Sequence, residues 1–237
     1  MPDGYHKIQT VLQEIPEIHD EIKIQTTKKT ATHNPQNLAY KALQLLKKTY
    51  KIKKFARITI KKNIPISSGL GGAASDAAAV LKGLNKLWNL KLSQKKLLAL
   101  AAKLGKDVPF FIIGGTALGT NYGEKIKSLK PIKNIKFKIF PKSSNKSAAV
   151  PASGVAGGFS PYHHPRKTAK AYQSLDLPKC NKNSSKTKKL LKAIQANDTK
   201  NILKNLHNDF EQLYKIKPQR HLCGAGPSTF IARPKLD

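Results

Sequence analysis

The chain has 237 residues, enough for one large domain or two modest ones, each able to bury a core. Its composition, 39% hydrophobic and 24% charged, excludes a disordered or collagen-like chain. Lys and Arg number 44 against 13 Asp and Glu, a net charge of +31 that attracts polyanions, yet the lysines are scattered through nearly every segment and favour a solvated surface over a dedicated nucleic-acid face.

The longest apolar stretch, Val108 to Leu118, is interrupted by Gly114 and Gly115 and is too short to span a bilayer. The start, Met1-Pro2-Asp3-Gly4-Tyr5-His6, lacks the basic and apolar blocks of a secretory signal. The two cysteines, Cys180 and Cys223, sit in no ligand-spaced cluster, so neither a zinc site nor a disulfide framework is expected. These features suit a reducing cytoplasm and a chain without membrane contact.

In chain order, Tyr5 to Ile15 alternates and predicts a strand, with Glu21 to Thr27 as its hairpin partner. Asn34-Pro35 then opens a helix, Asn as cap and Pro in the first position, with Leu38, Ala39, Ala42, Leu45 and Leu46 as its buried stripe. Phe55 to Lys61 predicts a strand, Pro65 to Gly72 a glycine-rich turn, and Ala73 to Trp88 a small-residue helix. Ser93 caps a further helix that stops at Gly105. Asp107 to Ile113 and Thr116 to Gly119 read as apolar segments near the core, and Ile135 to Phe140 as a strand. Ser147 to Pro165 contains no Lys and is rich in Ala, Gly and Pro, as in a linker or insertion. The pair His163-His164 at its end has no further ligands nearby and reads as a surface loop. Helical patterns return at Ala169 to Leu175 and Thr187 to Ala196, Asp198 caps a helix through Tyr214, and Cys223 to Ala232 is a glycine turn followed by a short strand. No internal repeat is present.

The string Pro65-Ile66-Ser67-Ser68-Gly69-Leu70-Gly71-Gly72-Ala73-Ala74-Ser75-Asp76 lies between a predicted strand and a predicted helix. Glycine lets backbone approach an anion, and a helix start presents unpaired N–H groups and a positive dipole end to phosphate. The spacing is neither that of the Lys-containing P-loop nor that of the dinucleotide fingerprint. On local grounds alone the string also suits a tight strand-to-helix turn built from small residues.

Asp107, in Leu104-Gly105-Lys106-Asp107-Val108-Pro109-Phe110-Phe111, is an acid beside an apolar run, expected to be partly buried. It could cap a helix, pair with a cation, or orient a hydroxyl and accept its proton.

Together these strings resemble the superfamily of galactokinase, homoserine kinase and mevalonate kinase (the GHMP kinases), and within it the 4-diphosphocytidyl-2-C-methylerythritol kinases. The glycine string is similar to that superfamily's nucleotide loop. The run at Asp107 is similar to a family motif whose Asp is the catalytic base. Asp3-Gly4-Tyr5-His6 resembles the family's cytidine pocket, in which Tyr5 would stack on the cytosine and His6 would bond its edge. Asn208-Asp209-Phe210-Glu211 resembles a structural family segment. Cys223-Gly224-Ala225-Gly226-Pro227-Ser228 resembles the third motif, in which Gly224 and Gly226 would lie beside substrate and phosphates. Cys223 replaces the usual Ser and reads as inert unless exposed and acidic.

The resemblance implies an α/β two-layer fold. Its parts would be a mixed-sheet N-terminal domain over 1–142, a linker or insertion over 143–166, and a partial ferredoxin-like domain over 167–237. It implies a transferase using ATP and Mg²⁺, with no protein metal ligands assigned, that phosphorylates the 2-hydroxyl of a cytidyl substrate in non-mevalonate isoprenoid synthesis. ATP would lie over Pro65, Ser67, Ser68, Gly69, Leu70, Gly71, Gly72, Ala73, Ala74 and Ser75, with Asp107 facing the hydroxyl. Monomer and homodimer both remain open.

The family also carries a strand before the Asp-Gly-Tyr-His turn, with a Lys that pairs with the catalytic Asp. This chain begins just before that turn, and the segment after Glu211 is short, so the chain reads as truncated at both ends. Another kinase of the superfamily, a catalytically inactive remnant, and a basic nucleic-acid-binding protein stand as alternatives. A low aromatic content of 7% weighs against the last.

Overall fold

The computed structural model describes residues 8–28, 34–142, 171–176, 180 and 184–235. Tyr5, His6, the whole of the 143–166 segment with His163 and His164, and the start of the Ala169–Leu175 pattern lie outside the described residues.

The chain is α/β, as its alternating and helical periodicities require. Strand β1 (Ile8–Gln13) pairs antiparallel with β4 (Thr116–Asn121), which pairs with β5 (Lys125–Ser128). Strand β2 (Glu21–Thr27) pairs antiparallel with β3 (Phe55–Lys61). Strand β6 (Ile135–Phe140) pairs with β8 (Thr229–Pro234), which also takes the short β7 (His221–Leu222). Every described ladder is antiparallel, in place of the expected mixed sheet.

The expected β1–β2 hairpin does not form, because β1 pairs with β4 and β2 with β3. Glu14 extends the β1–β4 ladder, its N–H donating to Gly115 O at 2.8 Å and its carboxylate accepting from Gly115 N at 2.7 Å. At the far end of the connection, Asp20 Oδ1 accepts from the backbone N–H groups of Asn63 and Ile64 at 2.6 and 2.8 Å. The linking residues 14–20 are thus tied to two different sheets and cannot close a tight turn between β1 and β2.

Four helices share one core with the β2–β3 sheet. Helix α1 (Leu38–Tyr50) begins later than expected: Asn34 Oδ1 is spent on Gln36 N–H, and Asn37 Oδ1 caps by accepting from Ala39 N–H at 2.9 Å. Its buried stripe is Ala39, Ala42, Leu43 and Leu46, with Leu38 and Leu45 at the margin. Helix α2 (Gly72–Leu87) brings Ala77, Ala78, Val80, Leu81 and Leu84 into the same core. Small residues let it pack closely there. Helix α3 (Gln94–Leu104), capped by Ser93, and α4 (Val108–Ile113) complete that layer.

A second core lies under the β6-β8-β7 sheet. It holds Ile135 with Leu190, Ala193 and Ile194 of α5 (Ser184–Ala196) and Ile202 of α6 (Thr199–Lys204), and Val11 of β1 packs against it. The helix expected from Asp198 through Tyr214 is broken. Asn205 ends α6 by donating its side-chain amide to Asn201 O at 2.7 Å, and the chain resumes as a single 3₁₀ turn, Asp209–Leu213. No helix among the described residues is long and apolar enough to cross a membrane.

Candidate functional site

The glycine string joins β3 to α2 as the periodicities require. Gly69 (φ 81°) and Gly71 (φ 71°) adopt left-handed backbone, and Gly71 occupies the cap position of α2. No side chain caps the helix there, so no capping group competes for its first N–H groups. Ser75 Oγ donates to Gly72 O at 2.8 Å, and Ser68 is buried. Ala74 points into the core, so it can offer a ligand only backbone, as Ala73 and Ala74 require if the loop binds through its amides.

A cavity of about 940 Å³ opens beside the loop. Its wall includes Gly69, Leu70, Gly71, Ser75 and Asp76 from the loop and α2, and Asp107, Phe110 and Phe111 from α4. Gly224 lines it as well. Asp107 stands at the N-terminus of α4, but its side chain makes no capping hydrogen bond, and it forms no ion pair among the described residues. The residue as a whole is exposed at the cavity wall, where partial burial was expected, while Val108, Pro109 and Phe110 behind it are buried. The apolar surroundings hold its pKa above the ordinary carboxylate range. An uncommitted acid with a raised pKa on a cavity wall is equipped to orient a hydroxyl and take its proton.

The Cys223–Ser228 turn packs directly on the loop. Ser228 N–H donates to Ser68 O at 3.0 Å, and a Cβ on Gly69 would lie 2.4 Å from Cys223 O and 2.7 Å from Gly226 O. A Cβ on Gly224 would in turn lie 2.8 Å from Gly69 O. Gly226, by contrast, faces Leu222 and Tyr214. Burial pushes the Cys223 thiol up to about 12, which matches its reading as inert. Asn208 donates to Leu222 O and Gly224 O at 3.0 and 2.8 Å, and Glu211 accepts from Leu222 N–H, so this segment braces the turn.

Sequence reasoning missed one cluster. Lys62 Nζ donates to Asp20 and, at 2.8 Å, to Asp76 Oδ2, and Asp76 Oδ1 is buried with no hydrogen-bond partner. Burial raises the Asp76 pKa to about 6, against the opposing pull of Lys62 and with a further push from Asp20. The one available signal was an acid at the fifth position of a helix otherwise made of small and apolar residues.

Residues 37–115 match the GHMP kinases N terminal domain family. A 4-diphosphocytidyl-2-C-methyl-D-erythritol kinase of Clostridium botulinum (strain Alaska E43 / Type E3) is 36% identical, across 96% of this chain and 82% of its own. One of Bacillus subtilis (strain 168) is 44% identical over 54% of this chain and 47% of its own. Among solved structures, a 4-(cytidine 5'-diphospho)-2C-methyl-D-erythritol kinase superposes with a TM-score of 0.61 at 24% identity, covering 97% of this chain and 82% of that one. The phosphomevalonate kinase of Streptococcus pneumoniae superposes at 0.66 with 14% identity, over 99% and 87% of the two chains.

Proposed function

Because this chain belongs to the 4-diphosphocytidyl-2-C-methyl-D-erythritol kinase family of the GHMP kinases, we propose that it transfers the γ-phosphoryl group of ATP to the 2-hydroxyl of 4-diphosphocytidyl-2-C-methyl-D-erythritol. The observation that carries the proposal is the convergence of the glycine loop and Asp107 on one cavity.

In this reading the backbone N–H groups at the start of α2, with the positive end of its dipole, receive the nucleotide's phosphates over Pro65 to Ser75. Asp107 orients the acceptor hydroxyl and takes its proton as the new O–P bond forms and the bond to ADP breaks. Tyr5 and His6, which lie outside the described residues, are the proposed partners of the cytosine, and Gly224 lines the cavity that would take the substrate. Among the described residues no group of three or more His, Cys, Asp or Glu side chains gathers to cage a metal. Mg²⁺, when bound with the nucleotide, would neutralise charge on the phosphates. The two free cysteines favour a reducing, cytoplasmic setting.

The test is calorimetric titration of the purified chain with ATP, followed by transfer of labelled γ-phosphate to 4-diphosphocytidyl-2-C-methyl-D-erythritol in parallel with homoserine and mevalonate. Saturable ATP binding with label on the cytidyl acceptor alone is expected. Label on homoserine or mevalonate instead would reassign the acceptor, and no ATP binding would remove the proposal.

A further inference from the structure

We propose that Lys62, Asp20 and Asp76 form a clamp across the base of the glycine loop, and that all three are positioning residues for nucleotide binding. The inference rests on the loop being the phosphate site, as argued above.

The loop has an entrance and an exit, and the clamp joins them. Lys62 to Ile64 lead from β3 into Pro65, and Gly72 to Asp76 form the first turn of α2 after Gly71. The single ammonium of Lys62 bonds Asp76 on the exit side and Asp20 on the β1–β2 connection. Asp20 in turn accepts the backbone N–H groups of Asn63 and Ile64, at 2.6 and 2.8 Å, on the entrance side. Asn63 Nδ2 closes the circuit by donating to His19 O at 2.9 Å. The two ends of the loop touch: a Cβ on Gly72 would lie 2.9 Å from Ile64 Cγ2 and 3.4 Å from Lys62 Nζ. Seven loop residues are thereby held between two points fixed to each other and to a third segment.

The cluster is a poor device for stability alone. Its two carboxylates are almost fully buried and share one ammonium, and one oxygen of Asp76 has no partner. Apolar residues of similar volume would hold the three segments together without that desolvation. Nor is the cluster a phosphate receptor, because two carboxylates against one ammonium leave it net negative. What it does fix is the direction of the backbone N–H groups between its ends, and a phosphate site depends on donors held in place before the ligand arrives. A costly polar arrangement beside a binding loop is where a fold is expected to give up stability for function.

The experiment compares the full chain with its Asp76→Asn and Lys62→Arg variants, measuring ATP Kd by calorimetry and the thermal midpoint of each. Asparagine keeps the shape and removes the charge. Arginine keeps the charge and can still bridge two carboxylates. Asp76→Asn should leave the midpoint unchanged or higher while weakening ATP binding about ten-fold or more, the equivalent of one hydrogen-bonded ion pair. Lys62→Arg should keep most of the parent's affinity.

ATP affinity in Asp76→Asn within about three-fold of the parent would overturn the clamp. So would a variant that fails to fold, or one whose affinity falls only together with its melting midpoint, since either result assigns the cluster to stability. If the parent chain binds no ATP, the nucleotide reading itself is lost and the clamp goes with it. That outcome is distinct from a parent that binds and a variant that binds equally well.

Discussion

The backbone N–H of Ser228 donates to the carbonyl of Ser68 at 3.0 Å, so the turn near the C-terminal end of the chain is bonded to the middle of the glycine loop 160 positions earlier in the sequence. The loop is held on one side by this contact and on the other by its junctions with β3 and α2. Its shape therefore depends on residues from both of the packed cores.

Gly69→Ala tests that contact. The new methyl would meet two backbone carbonyls at 2.4 and 2.7 Å, at a residue with φ of 81°. Neither carbonyl is a flexible side-chain end, so the turn or the loop must move. The left-handed backbone adds roughly 1–2 kcal/mol for a residue with a Cβ. Denaturant unfolding should show a loss well beyond that strain, together with loss of ATP binding. Gly115→Ala provides the comparison: its φ is 65° but a Cβ there meets nothing within 4 Å, so only the strain should register.

Ser228→Ala tests the same turn from its other face. Ser228 is fully buried, and its Oγ accepts from Lys142 N–H at 2.9 Å and donates to Lys142 O at 3.2 Å. Removing it strands two backbone groups at the end of β6. The expected loss is about 1–3 kcal/mol, read from the urea midpoint at unchanged slope. A loss under half a kcal/mol would mean that water replaces the hydroxyl without penalty.

Much of the loop's setting was legible in the chain itself, because the signals there are local. Phe55 to Lys61 alternates over a full strand, the glycines follow at once, and the apolar and small residues after Gly72 repeat at helical spacing. Asp107 and the loop were legible separately, each within a short string. Their meeting on one cavity was not, since it depends on α4 packing against α2. Strand partners were the least legible: β1 resembles a neighbour of β2 only because the two are adjacent in sequence, and the bonds of Glu14 and Asp20 that separate them join positions 101 and 43 or 44 residues apart. Lys62 was hidden by abundance, being one of 44 basic residues with nothing local to distinguish it.

Asp76 gives the stability of the chain a definite dependence on pH. Its folded pKa, about 6, lies above the ordinary 3.8, so the native state holds the proton more tightly than the unfolded chain. The stabilising effect of protonation is fully present below pH 3.8 and is lost as pH rises through about 6. Asp107, also raised, contributes in the same direction. Urea midpoints across pH 4 to 7 should show Asp76→Asn gaining on the parent as pH rises. A constant difference between the two would mean that Lys62 fully offsets the burial of the charge.

Cys223 should be silent toward thiol reagents in the native state. Its pKa, near 12, leaves almost no thiolate at neutral pH, and thiolate is the reactive form. Alkylation followed by mass spectrometry at pH 7.5 should leave Cys223 unmodified until denaturant is added. Modification at a rate matching a free thiol would show that the turn opens, and with it the contact between Ser228 and Ser68.

Asp107→Asn separates chemistry from binding. The substitution keeps the size of the side chain and removes its ability to accept a proton. Because Asp107 makes no capping bond and no ion pair among the described residues, no structural partner is lost, and its apolar surroundings accept an uncharged amide at least as well as a carboxylate. The variant should fold with an unchanged or higher melting midpoint and bind ATP as the parent does, since the loop's backbone is untouched. Phosphoryl transfer should fall by at least about 10², the lower end of what a positioned proton acceptor contributes. Equal loss of ATP binding and turnover would place Asp107 in the nucleotide site, and full retention of turnover would remove it from the reaction.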